Sequence, residues 1–405
     1  MSYVDRIEYW ESGDVVGDLG PFAPQPGDFP EIRYDLERLK AEMDRFAISQ
    51  GPASIWRYAP MLPVEYPNEA VTLGEGWTPM LPVPRLAAEL GFDDLWAKDE
   101  GRNPSGTFKD RGAAVAVSRL RELGVETMVH NSSGNAGGSW GLYAARAGMR
   151  CVNLLPDDVL PGSLQQSVLS GAPTFILDGP WQEGGHMVAD AVAQNGWMNI
   201  CTMKEPYRLE GKKTMGYEIA EQFGWSLPDA IVYPCGGGLG IVAIYKAFNE
   251  LLRLGWVDGP LPKMIIAQYA GCAPIVQAFE QGHDHAELWT DLDVLPGGLK
   301  STRPPGDKAI LKFIRETGGT AIAVSDEDAL AATALMTRSE GLFPCPESAT
   351  TLVGLQAARD QGVVKTDDRV VMVVTGSGLK SIPVLPEPKF STVKPGDPLS
   401  VEMTR

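Results

Sequence analysis

AIVYPCGGGLGIVAIYKAFNELLRLG, residues 230–255, decides the fold. AIVYP is apolar throughout, as a strand buried on both faces must be. IVAIYKAFNELL has the apolar spacing of a helix, and Gly255 stands where a C′ glycine would end it. Between them lies Cys235–Gly240, with three adjacent glycines. Such a run costs conformational entropy in the folded state, so close approach of backbone N–H groups to a ligand explains it best. Phosphate is the usual ligand of such a turn at a helix start. No G-K-[ST] follows, which excludes a nucleotide P-loop, and the G-x-G-x-x-G of a dinucleotide site is missing.

The same strand–turn–helix unit recurs outward in both directions. ETMVHN leads to AGGSWGLYAARAG, MRCVNLLP to GSLQQSVLSG, and APTFILD to MVADAVAQNG. WMNICT leads to LEGKKTMGYEIAEQFG, and KMIIAQYA to APIVQAFEQG. TAIAVS is followed by DEDALAATALMTRSEG and SATTLVGLQAARDQG, and RVVMVVTGSG closes the series. Gly148, Gly171, Gly224 and Gly341 also stand at C′ positions, and Ser325 with Asp328 reads as a capping pair. Alternation of this kind predicts an α/β chain, two three-layer domains with mostly parallel sheets. The chain of 405 residues is too long for one core. Residues 1–50 read as an arm: SGDVVGDLGPFAPQPGDFPEI as irregular, RYDLERLKAEMDRF as a charged helix. Residues 51–108 and 216–388 read as a large domain, 109–215 as a small one, and 389–405 as a tail.

A net charge of −17 excludes a basic nucleic-acid footprint and points to a small-molecule partner. No window of about 18 uncharged apolar residues is present, so no membrane span is expected. The N-terminus does not read as a secretory signal. Five cysteines (Cys151, Cys201, Cys235, Cys272, Cys345) without C-x-x-C spacing, and four histidines, argue against a disulfide framework and against a metal centre. A cytoplasmic location is expected.

Ligands in α/β folds sit where strands end. Three other such loops stand out besides the glycine run. SSGN (Ser132, Ser133, Gly134, Asn135) opens a helix and exposes amides to an anion, or is simply a capped turn. TGSG, Thr375–Gly378, places hydroxyls at the end of the strongest strand. RNPSGTFKDRG delivers Lys109 between Phe108 and an apolar helix. A lysine in apolar surroundings loses charge easily and can bond a carbonyl. Taken with a phosphate-binding glycine turn, this points to pyridoxal 5′-phosphate.

LGEGWTPM, NPSGTFKDRG, SSGNAGGSWGLYAARAG, PYRLEGKKT, PCGGGLG and VVTGSGLK occur in that order between Arg57 and Pro383. In these blocks the chain resembles the threonine synthases, pyridoxal-phosphate enzymes of the tryptophan-synthase-β fold (fold type II). The resemblance implies conversion of O-phospho-L-homoserine and water to L-threonine and phosphate, in a homodimer. It implies Lys109 as the Schiff-base lysine and proton shuttle, with Phe108 before it. Asn135 would bond the cofactor's ring oxygen, and Gly236, Gly237, Gly238, Leu239 and Gly240 its phosphate. Thr375 would face the ring nitrogen. Ser132, Ser133 and Gly134 would hold the substrate carboxylate, and Arg208 the substrate phosphate, for which a planar guanidinium is suited. The chain departs from the family pattern at Thr202–Pro206 (commonly Asn-Ser-x-Asn-Pro), at Ala136 (commonly Thr), at PCPES and at Ser377. These departures leave open a β-elimination or β-replacement enzyme acting on another amino acid.

Overall fold

The computed structural model describes residues 2–181, 183–388, 390 and 392–395. Most of the tail expected at 389–405 lies outside them. The chain begins with β1 (Val4–Tyr9), β2 (Val15–Val16) and β3 (Pro30–Tyr34), then α1 (Leu36–Glu42) and α2 (Arg45–Ser49). Next come β4 (Met80–Pro82), α3 (Pro84–Leu90), β5 (Asp94–Asp99) and α4 (Lys109–Glu122). A run of units follows: β6 (Thr127–Asn131), α5 (Asn135–Ala147), β7 (Arg150–Pro156), α6 (Pro161–Leu169), β8 (Thr174–Leu177), α7 (Glu183–Asn195) and β9 (Met198–Asn199). After α8 (Tyr207–Gln222) come β10 (Ala230–Pro234), α9 (Leu239–Leu254), β11 (Lys263–Tyr269), α10 (Pro274–Glu280) and α11 (Asp307–Glu316). Then follow β12 (Thr320–Val324), α12 (Asp326–Glu340), α13 (Pro346–Asp360) and β13 (Arg369–Val374).

The α/β alternation is realised as a six-stranded sheet, order β12-β11-β10-β13-β5-β4, and a four-stranded sheet, order β8-β7-β6-β9. All pairs are parallel except β4 with β5. The larger sheet is buried on both faces. Ala230, Val232, Val370 and Met372 face a core with α3, α12 and α13. Their neighbours Ile231, Tyr233, Val371 and Val373 face another with α4, α8 and α9. Alternate residues of a strand point to opposite faces, so apolar residues at every position mean a covered sheet.

The arm differs from its expected form. It carries a third, antiparallel sheet, order β2-β1-β3, whose Ile7, Ile32 and Tyr34 join the main core. Arg33 and Tyr34, read as helical, pair with β1 instead. The Asp35 side chain accepts from Arg38 N and starts α1 at residue 36, and Asp44 accepts from Ala47 N and starts α2. Two capping aspartates thus divide what periodicity alone read as one helix. The Tyr34 hydroxyl donates to Glu210 on α8 (2.8 Å) and ties the arm to the body. The boundary expected at 215/216 falls within α8.

Helices α4 and α8 cross with backbones in contact. A Cβ on Gly211 would lie 2.0 Å from the Arg111 carbonyl oxygen, and one on Gly112 would lie 2.9 Å from that of Arg208. At the crossing sits a fully buried ion cluster. Arg111 donates to both Glu218 oxygens (2.6 Å each) and both Glu100 oxygens (2.6 and 2.7 Å). Lys98 on β5 donates to Glu218 (2.7 Å) and to the Thr78 carbonyl (2.8 Å). Burial alone would raise the Glu218 carboxyl, but Arg111 and Lys98 overcome it and hold it down at about 2. Removing Arg111 strands two buried carboxylates with one lysine. Arg111→Met is therefore expected to cost about 3–5 kcal/mol of stability, read as a lower urea midpoint by circular dichroism. An unchanged midpoint would contradict this account of the crossing.

Candidate active site

Four chain segments leave the C-terminal ends of strands and meet at one cavity of about 350 Å³. The loop after β5 carries Lys109 at the first position of α4. That loop is stitched to the end of β13: Phe108 N donates to Thr375 O, and Ser377 N to Gly106 O (2.9 Å each). Lys109 and Thr375 are thereby held side by side across two adjacent strands. The Lys109 ammonium lies 4.1 Å from the centre of the Phe108 ring. Burial, reinforced by the Arg208 charge and opposed by Glu347 and Cys345, brings its amine down to about 8.

The loop after β10 forms a cradle at the start of α9. Gly238 has φ +82°, and a Cβ there would meet Ile310 at 2.0 Å. A Cβ on Gly240 would meet the Tyr233 hydroxyl at 1.8 Å. Glycine is the residue that fits at both positions, and Gly236, Gly237, Gly238, Leu239 and Gly240 all line the cavity. The Tyr233 hydroxyl is buried against this cradle with no hydrogen-bond partner among the described residues. Unpaired N–H groups at the first turn of a 16-residue helix, joined by an unpaired hydroxyl, suit a phosphate.

The SSGN turn after β6 opens α5. Ser132 Oγ accepts from Gly134 N (3.1 Å) and Gly137 N (3.0 Å), so its hydroxyl shapes the turn. Ser133 and Asn135 line the cavity with it. Gly134 is the one expected site residue outside the lining; at φ +132° it packs on Val159 and Ser163. Ser163 Oγ donates to Asn135 Oδ1 (2.9 Å), which fixes the orientation of that amide. Thr375 Oγ1 lies 3.1 Å from Ser348 Oγ, which lies 3.1 Å from Cys345 Sγ. Burial and the Glu347 charge push the Cys345 thiol well up, so it stays protonated.

Arg208 enters from the first turn of α8. Its Nη1 donates to Ile200 O (2.8 Å), and its guanidinium lies over Trp140. Of the Thr202–Pro206 segment, Thr202 alone lines the cavity. Met203, at φ +59°, turns into the core. Glu205 accepts from Arg208 N (3.0 Å) as a cap of α8. Burial raises the Glu205 carboxyl, against the pull of Arg208, to about 7.

Sequence reading missed several lining groups. His130 ends β6, bonded to Asn153 (2.8 Å), and burial with the Arg208 charge lowers it to about 3, so it is neutral. Glu347 accepts from Gly298 N (2.6 Å), and its second oxygen is buried without a hydrogen-bond partner among the described residues. Gly298–Ser301 line the wall. The pair Gly297-Gly298 was the available signal, because Gly297 at φ +134° lies where a Cβ would meet Glu347 at 2.3 Å. Lys212 also faces the cavity. Among the described residues no cluster of three or more His, Cys, Asp or Glu could hold a metal ion, and no helix is long and apolar enough to cross a membrane.

The family model described as pyridoxal-phosphate dependent enzyme matches residues 71–376. The chain is 36% identical to the threonine synthase of Methanocaldococcus jannaschii over 355 residues, 87% of each chain. It is 38% identical to that of Methanosarcina acetivorans over 354 residues, 87% of this chain and 84% of the other. Among solved structures it resembles a threonine deaminase isoform of Solanum lycopersicum (TM-score 0.65, 18% identity, 89% and 97% of the two chains). Maize serine racemase is also similar (TM-score 0.64, 19% identity, 74% and 88%). At these identities the structural likeness shows the fold alone.

The amine of Lys109 titrates near 8 in the folded chain. Below that pH its neutral, nucleophilic fraction falls about tenfold per unit. Acylation of the cofactor-free protein, followed residue by residue by mass spectrometry, should give half-maximal Lys109 labelling near pH 8. The exposed lysines should lag until near their ordinary value of about 10.4. Lys109 labelling in step with them would contradict the assignment.

Proposed function

We propose that this chain, which belongs to the threonine synthase family of pyridoxal-phosphate-dependent enzymes, converts O-phospho-L-homoserine and water to L-threonine and phosphate. One observation carries the reading: Lys109, at the start of α4, lies in one cavity with the glycine cradle and with Arg208. A phosphorylated cofactor and a phosphorylated substrate need two anion sites beside one amine.

Pyridoxal 5′-phosphate fits the residues present. Gly236–Gly240 would hold its phosphate, Lys109 its aldehyde, Asn135 its ring oxygen and Thr375 its ring nitrogen, beside Phe108. When bound, it supplies an electron sink that eases loss of protons from carbons near the substrate amine. A hydroxyl partner at Thr375, in a chain of neutral groups with Ser348 and Cys345, leaves the ring nitrogen without a full charge. Ser132, Ser133 and Gly134 would cradle the substrate carboxylate, the Ser132 hydroxyl acting from inside the turn. Arg208 would hold the substrate phosphate. An amine near 8 carries a proton readily in either direction near neutral pH, which suits Lys109 to move protons at the α and γ carbons of the substrate. Glu205 accepts from Arg208 N and lies 3.5 Å from the Arg208 guanidinium, and with its carboxyl raised to about 7 it can take up a proton as a phosphate arrives.

The reading includes two lobes, residues 51–108 with 216–388 and residues 109–215, with α8 shared at the joint. Closure of the smaller lobe would exclude water until it is needed. It includes a homodimer, for which exposed Leu169, Phe175 and Ile176 offer apolar surface. It also includes a cytoplasmic location, in keeping with five unpaired thiols.

Protein loaded with the cofactor should release phosphate and threonine in equal amounts from O-phosphohomoserine. Lys109→Ala should lower both by about 10³-fold or more. Ammonia and a keto acid, formed from another amino acid while phosphohomoserine is left intact, would replace this reading with a β-eliminating lyase.

A further inference from the structure

Lys212 stands four residues after Arg208 on α8, so the two side chains share a helix face. Lys212 is 4% exposed, yet it lines the cavity. Among the described residues no hydrogen bond or ion pair reaches its Nζ. Its contact is the Phe108 ring, whose centre lies 4.3 Å from Lys212 Nζ and 4.1 Å from Lys109 Nζ. One ring attracts a cation by roughly 0.5–2 kcal/mol, far short of what neutralises two buried ammonium groups. Burial, then the charges of Lys109 and Arg208, push the Lys212 amine well below its ordinary range. Arg208 adds a cation to the first turn of α8, where the helix dipole already favours negative charge. The chain as a whole is strongly acidic, with a net charge of −17, so this concentration of positive charge runs against its composition.

Lys109, Arg208 and Lys212 therefore converge on one cavity, where Glu205, 3.5 Å from the Arg208 guanidinium, is the one carboxylate in contact with any of the three among the described residues. The glycine cradle and the SSGN turn provide for two anionic groups elsewhere in the cavity. A third anion is wanted beside Arg208 and Lys212. A phosphate monoester carries a charge of about −1.5 to −2 near neutral pH, which two cations match. We propose that Lys212 is a substrate-binding and specificity-determining residue, which grips the phosphate of the substrate together with Arg208. This rests on the reading of a phosphorylated amino acid as substrate. Lys212 would supply the donor that Met203 and Glu205, turned away in the preceding segment, do not.

The test uses the cofactor-loaded protein, in which the glycine cradle is filled, and inorganic phosphate as probe. Lys212→Met is expected to weaken phosphate binding in a calorimetric titration by about tenfold or more. KM for O-phosphohomoserine should rise by a similar factor, while kcat stays within a few fold. Lys212→Arg should keep most of the affinity. The cofactor absorbance should stay unchanged in both, which reports Lys109 intact. In the absence of phosphate the Lys212→Met protein should melt at a higher temperature, because a buried repulsion is gone. A role confined to packing would move the melting temperature without moving the phosphate affinity. Phosphate affinity within about twofold of wild type, in Lys212→Met or in Lys212→Gln, overturns the proposal. If wild-type protein forms no threonine from O-phosphohomoserine, the functional reading falls instead. The phosphate titration, which needs no turnover, still decides the role of Lys212.

Discussion

The arrangement of the site depends on the buried cluster of Arg111, Glu100, Glu218 and Lys98. These groups come from β5, the loop after it, α4 and α8. Each charge is worthless in an apolar interior unless its partner is at hydrogen-bond distance, so the cluster admits one relative placement of those elements. The facing glycines Gly112 and Gly211 allow the backbones to come close enough for it to form. Lys109 is two residues before Arg111, and Arg208 and Lys212 are ten and six residues before Glu218. The constraint at the crossing thus sets how the nucleophilic amine and the two cations face each other. Thr78 and the 103–107 loop hang from the same carboxylates and hydroxyls, which extends the constraint to the rim of the cavity.

The cavity is built by contrasts of charge and hydration. Glycine backbone at one end offers N–H groups to an anion without a side chain in between, and the helix dipole of α9 adds to the attraction. At the other end, charged side chains do the same work at a cost in desolvation. Around Lys109 and Thr375 stand a protonated Cys345, a neutral His130 and hydroxyls in sequence, with the Glu347 carboxylate beside them. A low-dielectric middle between two cationic ends strengthens each electrostatic contact made there. It also gives Lys109 an amine that can change protonation near neutral pH.

The departures from the family pattern have a physical order once the chain is folded. Met203 and Glu205 leave the cavity, one into the core and one onto a helix cap. Ala136 stays at the cavity wall without a hydroxyl, and Ser377 sits outside the lining. Lys212, in the second turn of α8, lines the same cavity.

Much of this was legible in the sequence. Continuous apolar runs at 230–234 and 369–374 can be satisfied only in a sheet covered on both faces, so the α/β class follows from local pattern. The glycines within 236–240 point to a backbone that comes close to a ligand, and Lys109, by itself readable as an ordinary surface or salt-bridged lysine, gains a special role only in combination with them. The resemblance of the motifs in order then named a cofactor and a set of residues. The arm was misread because residues 33–34 owe their extended form to pairing with β1, a contact made at a distance along the chain. Lys212, Glu347 and His130 lie within PYRLEGKKT, PCPES and ETMVHN, and they escaped because which side chains of those stretches face the cavity is set by contacts made at a distance. What the sequence by itself determined is the class of fold and the cofactor, since each rests on contiguous residues whose geometry is local. What only tertiary structure decided is which charges share the cavity and which turn away, because the field at a point in a protein is summed over residues that the chain brings together from afar.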